Sequence, residues 1–234
     1  MARRRRRIRP SREESDGPRH VTDIIRDPRV PDYLVIEVDG ARFASLPEEA
    51  LGALGLEAGQ RLDEARHREL SHLADIEAVQ HVAMRLLTAR PRTVAEMRRT
   101  LRMRGHGPPA VDVVVERLEE RGLLNDAEFA RHFASVRSGK GHGPGRLITD
   151  LLAKGVEKRV AEQAVRETLE AEGVDPLVQA RLLAERRMLQ LAHVPADAQR
   201  RRLTAYLGRR GYRGYEVNEI VNQALREAAV GPDE

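Results

Sequence analysis

The sequence predicts a mainly α-helical protein: three tandem three-helix repeats in an elongated, curved array, preceded by a small β-rich N-terminal module. Three observations carry this. From Asp75 onward apolar residues recur at three- and four-residue spacing, as in Val79, Val82, Ala83, Leu86, Leu87 and again in Val111, Val114, Val115, Leu118, the period of helices with one buried face. A pentad that begins with Leu, carries a basic residue and ends in Gly occurs at 101–105, 151–155 and 207–211, with its glycines 50 and then 56 residues apart. Finally, Asp39-Gly40 stands between two β-prone runs, Tyr33–Val38 and Ala41–Leu46. A two-residue type I′ turn needs positive φ at both central positions, and Asp-Gly supplies it.

The elements follow in chain order. Residues 1–19 are polar and charged with no apolar period, and are expected to be disordered. Val21, Ile24 and Ile25 suggest a first strand, so residues 20–46 read as a small antiparallel sheet. Pro47 opens a short helix to about Leu54, and a further helix covers about 60–73. These make a module over 20–75, followed by repeats over 76–124, 125–173 and 174–229. Thr93-Val-Ala-Glu96 is a capping box, in which hydroxyl and carboxylate each satisfy a free N–H of the first turn. Asn125 caps a helix with Asp126 and Glu128 in its first turn, where the helix dipole favours acids. Asp175-Pro176, Pro144 and Pro195 mark further helix starts. Gly105, Gly155 and Gly211 read as helix stops, each followed by a helix carrying Val114/Leu118, Val165/Leu169 or Val221/Leu225. A three-helix unit of this size is marginal alone, so neighbours are expected to share buried faces.

Composition excludes several classes. The 234 residues hold no Cys and no Trp, so there is no disulfide framework and no Cys-containing zinc site. No apolar run approaches the roughly 20 residues of a membrane span, and MARRRRRIRP lacks the apolar stretch of a secretory signal. A cytoplasmic protein with no membrane partner is expected. Charge is unevenly spread: Arg3 to Arg7 and Arg9 bring +6, residues 10–75 balance 8 basic against 15 acidic groups, and residues 76–234 balance 27 against 22. The Arg-rich start is either a solubility tail or an arm that holds nucleic acid weakly and salt-sensitively.

No catalytic constellation stands out. Ser138–Arg146 has the glycines of a phosphate loop, but Gly141 follows Lys140 where Ser or Thr is needed and a helix precedes it in place of a strand. It reads as a flexible inter-helix linker. The eight His are scattered, and His67 and His72 do not share a helix face, so neither a metal nor any other cofactor is expected. Phe129 and Phe133, four apart, read as core. Tyr206, Tyr212 and Tyr215 gather around Gly211 as core, rim or interface residues. Seven Phe and Tyr in all are too few for a single-strand stacking platform.

Two longer stretches resemble the RecX family. They are LEERGLLND (118–126) with FARHFASVR…GPGRLITDLLAKGV (129–156), and LLTARPRTVAEMRRTLRMRG (86–105). The middle repeat carries the resemblance best, through Leu124, Asp126, Phe129, Ala130, Arg137, Gly145, Ile148, Leu152, Lys154 and Gly155; the third joins through Leu207, Arg210 and Gly211. The Arg-rich start lies outside the family pattern. The resemblance implies a non-enzymatic regulator that binds RecA–single-stranded DNA filaments, inserting into their groove or capping their growing end, and that dampens strand exchange and ATP hydrolysis. A monomer is expected, with at most weak binding to single-stranded or duplex DNA.

Candidate contact residues are basic. Between Arg85 and Arg104 there are seven Arg and a single acid, Glu96. Arg98, Arg99 and Arg102 share much of one helix face, with Arg104 beyond them. The scarcity of acids favours a contact stripe over a merely solvated face. The same logic marks Arg200, Arg201, Arg202, Arg209, Arg210 and Arg213 in the third repeat. In the middle repeat, where acids balance bases, Arg146 and Lys154 are the candidates and Lys140, Lys158 and Arg159 read as structural. A competing reading takes 92–124 as a helix-turn-helix DNA-binding regulator with Val111–Arg121 in the major groove; against it, that helix carries Asp112, Glu116, Glu119 and Glu120.

Overall fold

In a computed structural model the described residues are 19–230, with side chains described to 228. The tail expected to be disordered, 1–19, lies outside them but for Arg19. The chain divides into two compact units, one ending at Ala78 and one beginning at Val79.

The N-terminal unit holds strands β1 (Arg19–Arg26), β2 (Tyr33–Val38), β3 (Ala41–Pro47) and β4 (Arg61–Leu62), and helix α1 (Glu48–Leu54). The sheet is antiparallel, in the order β3-β2-β1-β4. Asp39 and Gly40 have φ of 51° and 76°, so the β2–β3 hairpin turns as its sequence requires. Val21, Ile36, Val38, Leu46, Leu51, Leu62 and Leu70 form the core. The carboxylate of Asp27 is buried; it accepts from Ser45 Oγ (2.6 Å), the Arg29 amide (2.9 Å) and Arg42 Nη2 (2.9 Å), bonds that hold its pKa below the usual range.

Strand β4 was not expected. Two residues are too short to show alternation, yet burying Leu62 closes the sheet. Nor do two separate helices follow it. Asp63 Oδ1 accepts the Arg66 amide and starts one helix, α2 (Glu64–Ala89), which runs unbroken through 73–79 because no Gly or Pro stands between Gln60 and Arg90.

The second unit contains the rest of α2, then α3 (Val94–Met103), α4 (Pro108–Glu120), α5 (Asp126–Ser138), α6 (Pro144–Ala153), α7 (Lys158–Ala171), α8 (Pro176–Leu191), α9 (Ala196–Arg209) and α10 (Tyr215–Val230). Helices α5–α7 close on one cluster that includes Ala130, Phe133, Leu147, Leu151 and Val165. Helices α8–α10 close on another with Ala184, Leu203, Leu207, Ile220 and Val221. In the first repeat Met97, Leu101, Val111, Val114, Val115 and Leu118 are fully buried.

The repeated pentad is the C-terminal end of each middle helix. Gly105, Gly155 and Gly211 take φ of 88°, 85° and 89°. The next amide, of His106, Val156 or Tyr212, reaches back to the carbonyl of Leu101, Leu151 or Leu207 at 3.0–3.3 Å, and the glycine amide bonds the carbonyl one residue later. This pair of bonds is a Schellman motif. The leucine that receives the long bond is fully buried in all three, so the pentad ties a helix stop to a core anchor.

Candidate functional site

Two of the three pentads are seated on the first turn of the preceding repeat's middle helix. At the first junction α6 ends against the start of α3. The Thr93 hydroxyl accepts from the Glu96 amide (3.1 Å) and donates to the Lys154 carbonyl (2.7 Å). Asp126 Oδ1 accepts the Val94 amide (2.9 Å); burial pushes this carboxyl's pKa up, against the pull of that bond. Half of the expected capping box is present. The Glu96 carboxylate does not return to the start of its helix, because it takes salt bridges from Arg90 Nη1 (2.9 Å) and Lys154 Nζ (3.2 Å). Burial raises the Glu96 pKa, but these two partners outweigh it and leave it below its ordinary value.

The second junction repeats the plan with different chemistry. The Gly143 amide donates to the Arg210 carbonyl (2.7 Å) and the Gly145 amide to the Gly211 carbonyl (3.2 Å). Backbones approach so closely that a Cβ on Gly211 would lie 2.1 Å from the Arg146 nitrogen, as one on Gly155 would lie 2.3 Å from the Ala95 Cβ. The loop before α6, expected to be a flexible linker, is packed. Gly143 lies against the Tyr212 ring, and Arg210 Nη1 donates to the carbonyls of Lys140 and Gly141 (3.2 Å each). Its glycines serve close approach. Tyr212 donates to Gln179 Oε1 (2.9 Å), and burial pushes its pKa up to about 12.

The candidate basic residues fall into two groups. Some are committed within the fold. Arg98 and Arg102 reach Asp112 of α4 at 3.6 and 3.2 Å, and Arg98 also reaches Glu119 at 3.8 Å. Lys154 holds Glu96, and Arg210 holds the loop and lies over the Tyr206 ring at 4.9 Å. The others, Arg99, Arg104, Arg209 and Arg213, are exposed, and their side chains make no hydrogen bond or ion pair among the described residues. Arg146 is half exposed and bonds Asp150 of its own helix at 2.9 Å. The fold brings Arg146, Arg209 and Arg213 together around one cleft of about 460 Å³ between the start of α6 and the end of α9, with Thr149 and Pro144 beside them.

A second hollow of about 530 Å³ lies among Met84, Leu87, Arg92, Leu123, Phe129 and His132. Phe133, stacked on Phe129 at 6.2 Å between centroids, is core, and the partly buried Phe129 packs against the same core while also lining this hollow. Tyr212 is core and Tyr215 is exposed. On α4 Val111, Val114, Val115 and Leu118 are buried, and Asp112, Glu116, Glu119 and Glu120 face outward. Among the described residues no group of three or more His, Asp or Glu is arranged to hold a metal ion, and no helix is long and apolar enough to cross a membrane.

Sequence reading missed the junctions. Their signal was present: Ala95 and Gly145 are small residues two positions after the helix caps Thr93 and Gly143, where the next pentad's glycine must fit.

Comparison with known proteins agrees with this architecture. Residues 81–118 match the family model described as RecX, first three-helix domain, and residues 125–165 the one described as RecX, second three-helix domain. The chain is 39% identical over 157 residues to the regulatory protein RecX of Halorhodospira halophila, covering 67% of this chain and 94% of that protein. It is 34% identical over 153 residues to that of Streptomyces coelicolor, covering 65% and 80%. A crystal structure of regulatory protein RecX shares its fold with a TM-score of 0.71 at 17% identity, covering 89% of this chain and 100% of that one. The structure of RecX from Lactobacillus salivarius does so with a TM-score of 0.56 at 20% identity, over 65% and 97%. With the repeats, their pentads and nearly the full length of a curated relative accounted for, this chain belongs to the RecX family of regulatory proteins.

Proposed function

We propose that this protein is a non-enzymatic cytoplasmic regulator that binds RecA–single-stranded DNA filaments and inhibits recombinase ATP hydrolysis and strand exchange, by occupying the filament groove or capping its end. The observation that carries the reading is the 39% identity to a curated regulatory protein RecX across 94% of that protein. The locked junctions support it: repeats held in fixed register present contact groups at fixed spacing, which suits a partner built of identical subunits.

Contact is assigned to the arginines the fold leaves uncommitted, Arg99, Arg104, Arg209 and Arg213, together with Arg146. Arg98 and Arg102 are largely neutralised by α4, and Lys154 and Arg210 act by holding the junctions. Charge sets the on-rate and salt sensitivity of such a contact, and apolar anchors its lifetime. Nothing favours α4 as a recognition helix, since its outward acids repel phosphates.

The test is ATP hydrolysis by the cognate recombinase on single-stranded DNA while this protein is titrated in, beside a DNA-only binding control at the same salt. Suppression well below one molecule per recombinase subunit, with weak binding to bare DNA, is expected. Unchanged hydrolysis together with tight DNA binding would overturn the reading.

A further inference from the structure

Resting on that reading and going beyond it, we propose that the cleft between α6 and α9 is a seat for the sugar–phosphate backbone of nucleic acid, so that the third repeat grips the filament's DNA while other faces meet protein. The cleft exists only in the folded chain: Arg146 comes from the middle repeat, and Arg209 and Arg213 from the third, some sixty residues on. Arg146, Arg209 and Arg213 line about 460 Å³, and among the described residues the one carboxylate paired with any of them is Asp150, on Arg146. Two positive charges are left uncompensated. The ion pair to Asp150 engages Arg146 Nε, and the terminal fork of a guanidinium matches phosphate oxygens two at a time.

The rest of the lining selects among anions. Gly208, where a Cβ would meet nothing within 4 Å, leaves the backbone open to a ligand chain, while Gly145 and Gly211 pack against each other and hold the cleft's two walls together. Among the described residues no aromatic ring lines the cleft, so bases have nothing there to stack on. Apart from Pro144 it offers no apolar pocket for the buried anchor that a protein partner uses. Charge without stacking or apolar anchoring is the chemistry of sequence-independent backbone contact. The corresponding position at the first junction carries Glu96, buried and neutralised by Arg90 and Lys154, so the anion seat belongs to the second junction alone.

The experiment measures binding of a fluorescent oligothymidylate to the full chain by anisotropy across a salt series. It compares wild type, Arg209→Ala/Arg213→Ala, and a charge-matched control, Arg186→Ala/Arg226→Ala, whose arginines are exposed, unpaired among the described residues and outside the cleft. The cleft variant should weaken binding and lower the slope of log K against log salt by about 1.4, at roughly 0.7 per lost phosphate contact. The control should change neither. Arg209→Lys/Arg213→Lys should restore most of the slope. Equal losses in both alanine variants would overturn the proposal, because net charge alone would then explain binding. Unchanged oligonucleotide binding with lost suppression of recombinase ATP hydrolysis would also overturn it, assigning the cleft to carboxylates of the protein partner and leaving the filament reading intact. Failure of the wild type to suppress hydrolysis would sink the filament reading while the salt series still decides the cleft.

Discussion

The Thr93 hydroxyl donates to the Lys154 carbonyl at 2.7 Å, joining the first turn of one repeat's middle helix to the last turn of the next. The same oxygen caps its own helix by accepting the Glu96 amide. One fully buried side chain therefore closes a helix and a junction. Thr93→Val keeps the shape and removes both bonds. It should cost about 2–3 kcal/mol, the sum of a lost cap and an unsatisfied buried carbonyl, read as a lower urea midpoint.

The three pentad glycines separate backbone conformation from close approach. All have φ near +87°, but a Cβ at Gly105 meets nothing within 4 Å, whereas one at Gly155 meets the Ala95 Cβ at 2.3 Å. Gly105→Ala should cost about 1 kcal/mol from the left-handed conformation. Gly155→Ala should cost that and about 1–3 kcal/mol more, because the junction must part. Gly211→Ala, which meets backbone at 2.1 Å, should resemble Gly155→Ala. Equal losses at Gly105 and Gly155 in chemical denaturation would refute the role given to the junction.

Glu96 makes the first junction acid-sensitive. Its pKa is depressed in the folded state, so the stability it brings is fully present above its unfolded value, ordinarily near 4.3, and is lost as pH falls through the lower folded value. Glu96→Gln should flatten that acid limb of the stability–pH curve. At neutral pH it should cost about 1–2 kcal/mol, less than for a fully buried pair because Arg90 and Lys154 remain partly exposed.

Tyr212 makes the second junction alkali-sensitive. Its pKa is raised to about 12, so its contribution is complete below the unfolded value near 10 and is lost as pH rises through about 12. Ultraviolet titration should show a late-ionising tyrosine, which Tyr212→Phe removes. Loss of the bond to Gln179 should lower stability by about 1 kcal/mol.

The first-repeat arginines divide by their partners. Arg98→Ala/Arg102→Ala removes guanidiniums already paired with Asp112 and Glu119, and should change both stability and recombinase suppression little, exposed pairs contributing about 1 kcal/mol or less. Arg99→Ala/Arg104→Ala should leave the thermal midpoint unchanged and raise the concentration needed for half-suppression of ATP hydrolysis. The reverse order of effects would return the contact to the Arg98–Arg102 stripe.

Much of this architecture was legible without coordinates because it rests on local rules. Asp39-Gly40 specifies its turn, Asn125 and Asp175 cap their helices, and a Leu followed by a left-handed Gly specifies a helix end wherever it occurs. Periodicity then names the buried face, and so Val111, Val114, Val115 and Leu118 were identifiable as core. What tertiary structure decided was the partner of each polar group. Arg98 and Arg99 are adjacent in sequence, yet among the described residues only Arg98 meets an acid, because α4 packs on one side of α3. Lys154 and Arg210 look like free charges at helix ends until the preceding repeat supplies Glu96 to one and the loop carbonyls to the other. Helix formation depends on residues within a few positions of each other, so one chain segment encodes it. An ion pair or a cleft depends on groups tens of residues apart, and the folded core alone sets the distance between Arg146 and Arg213.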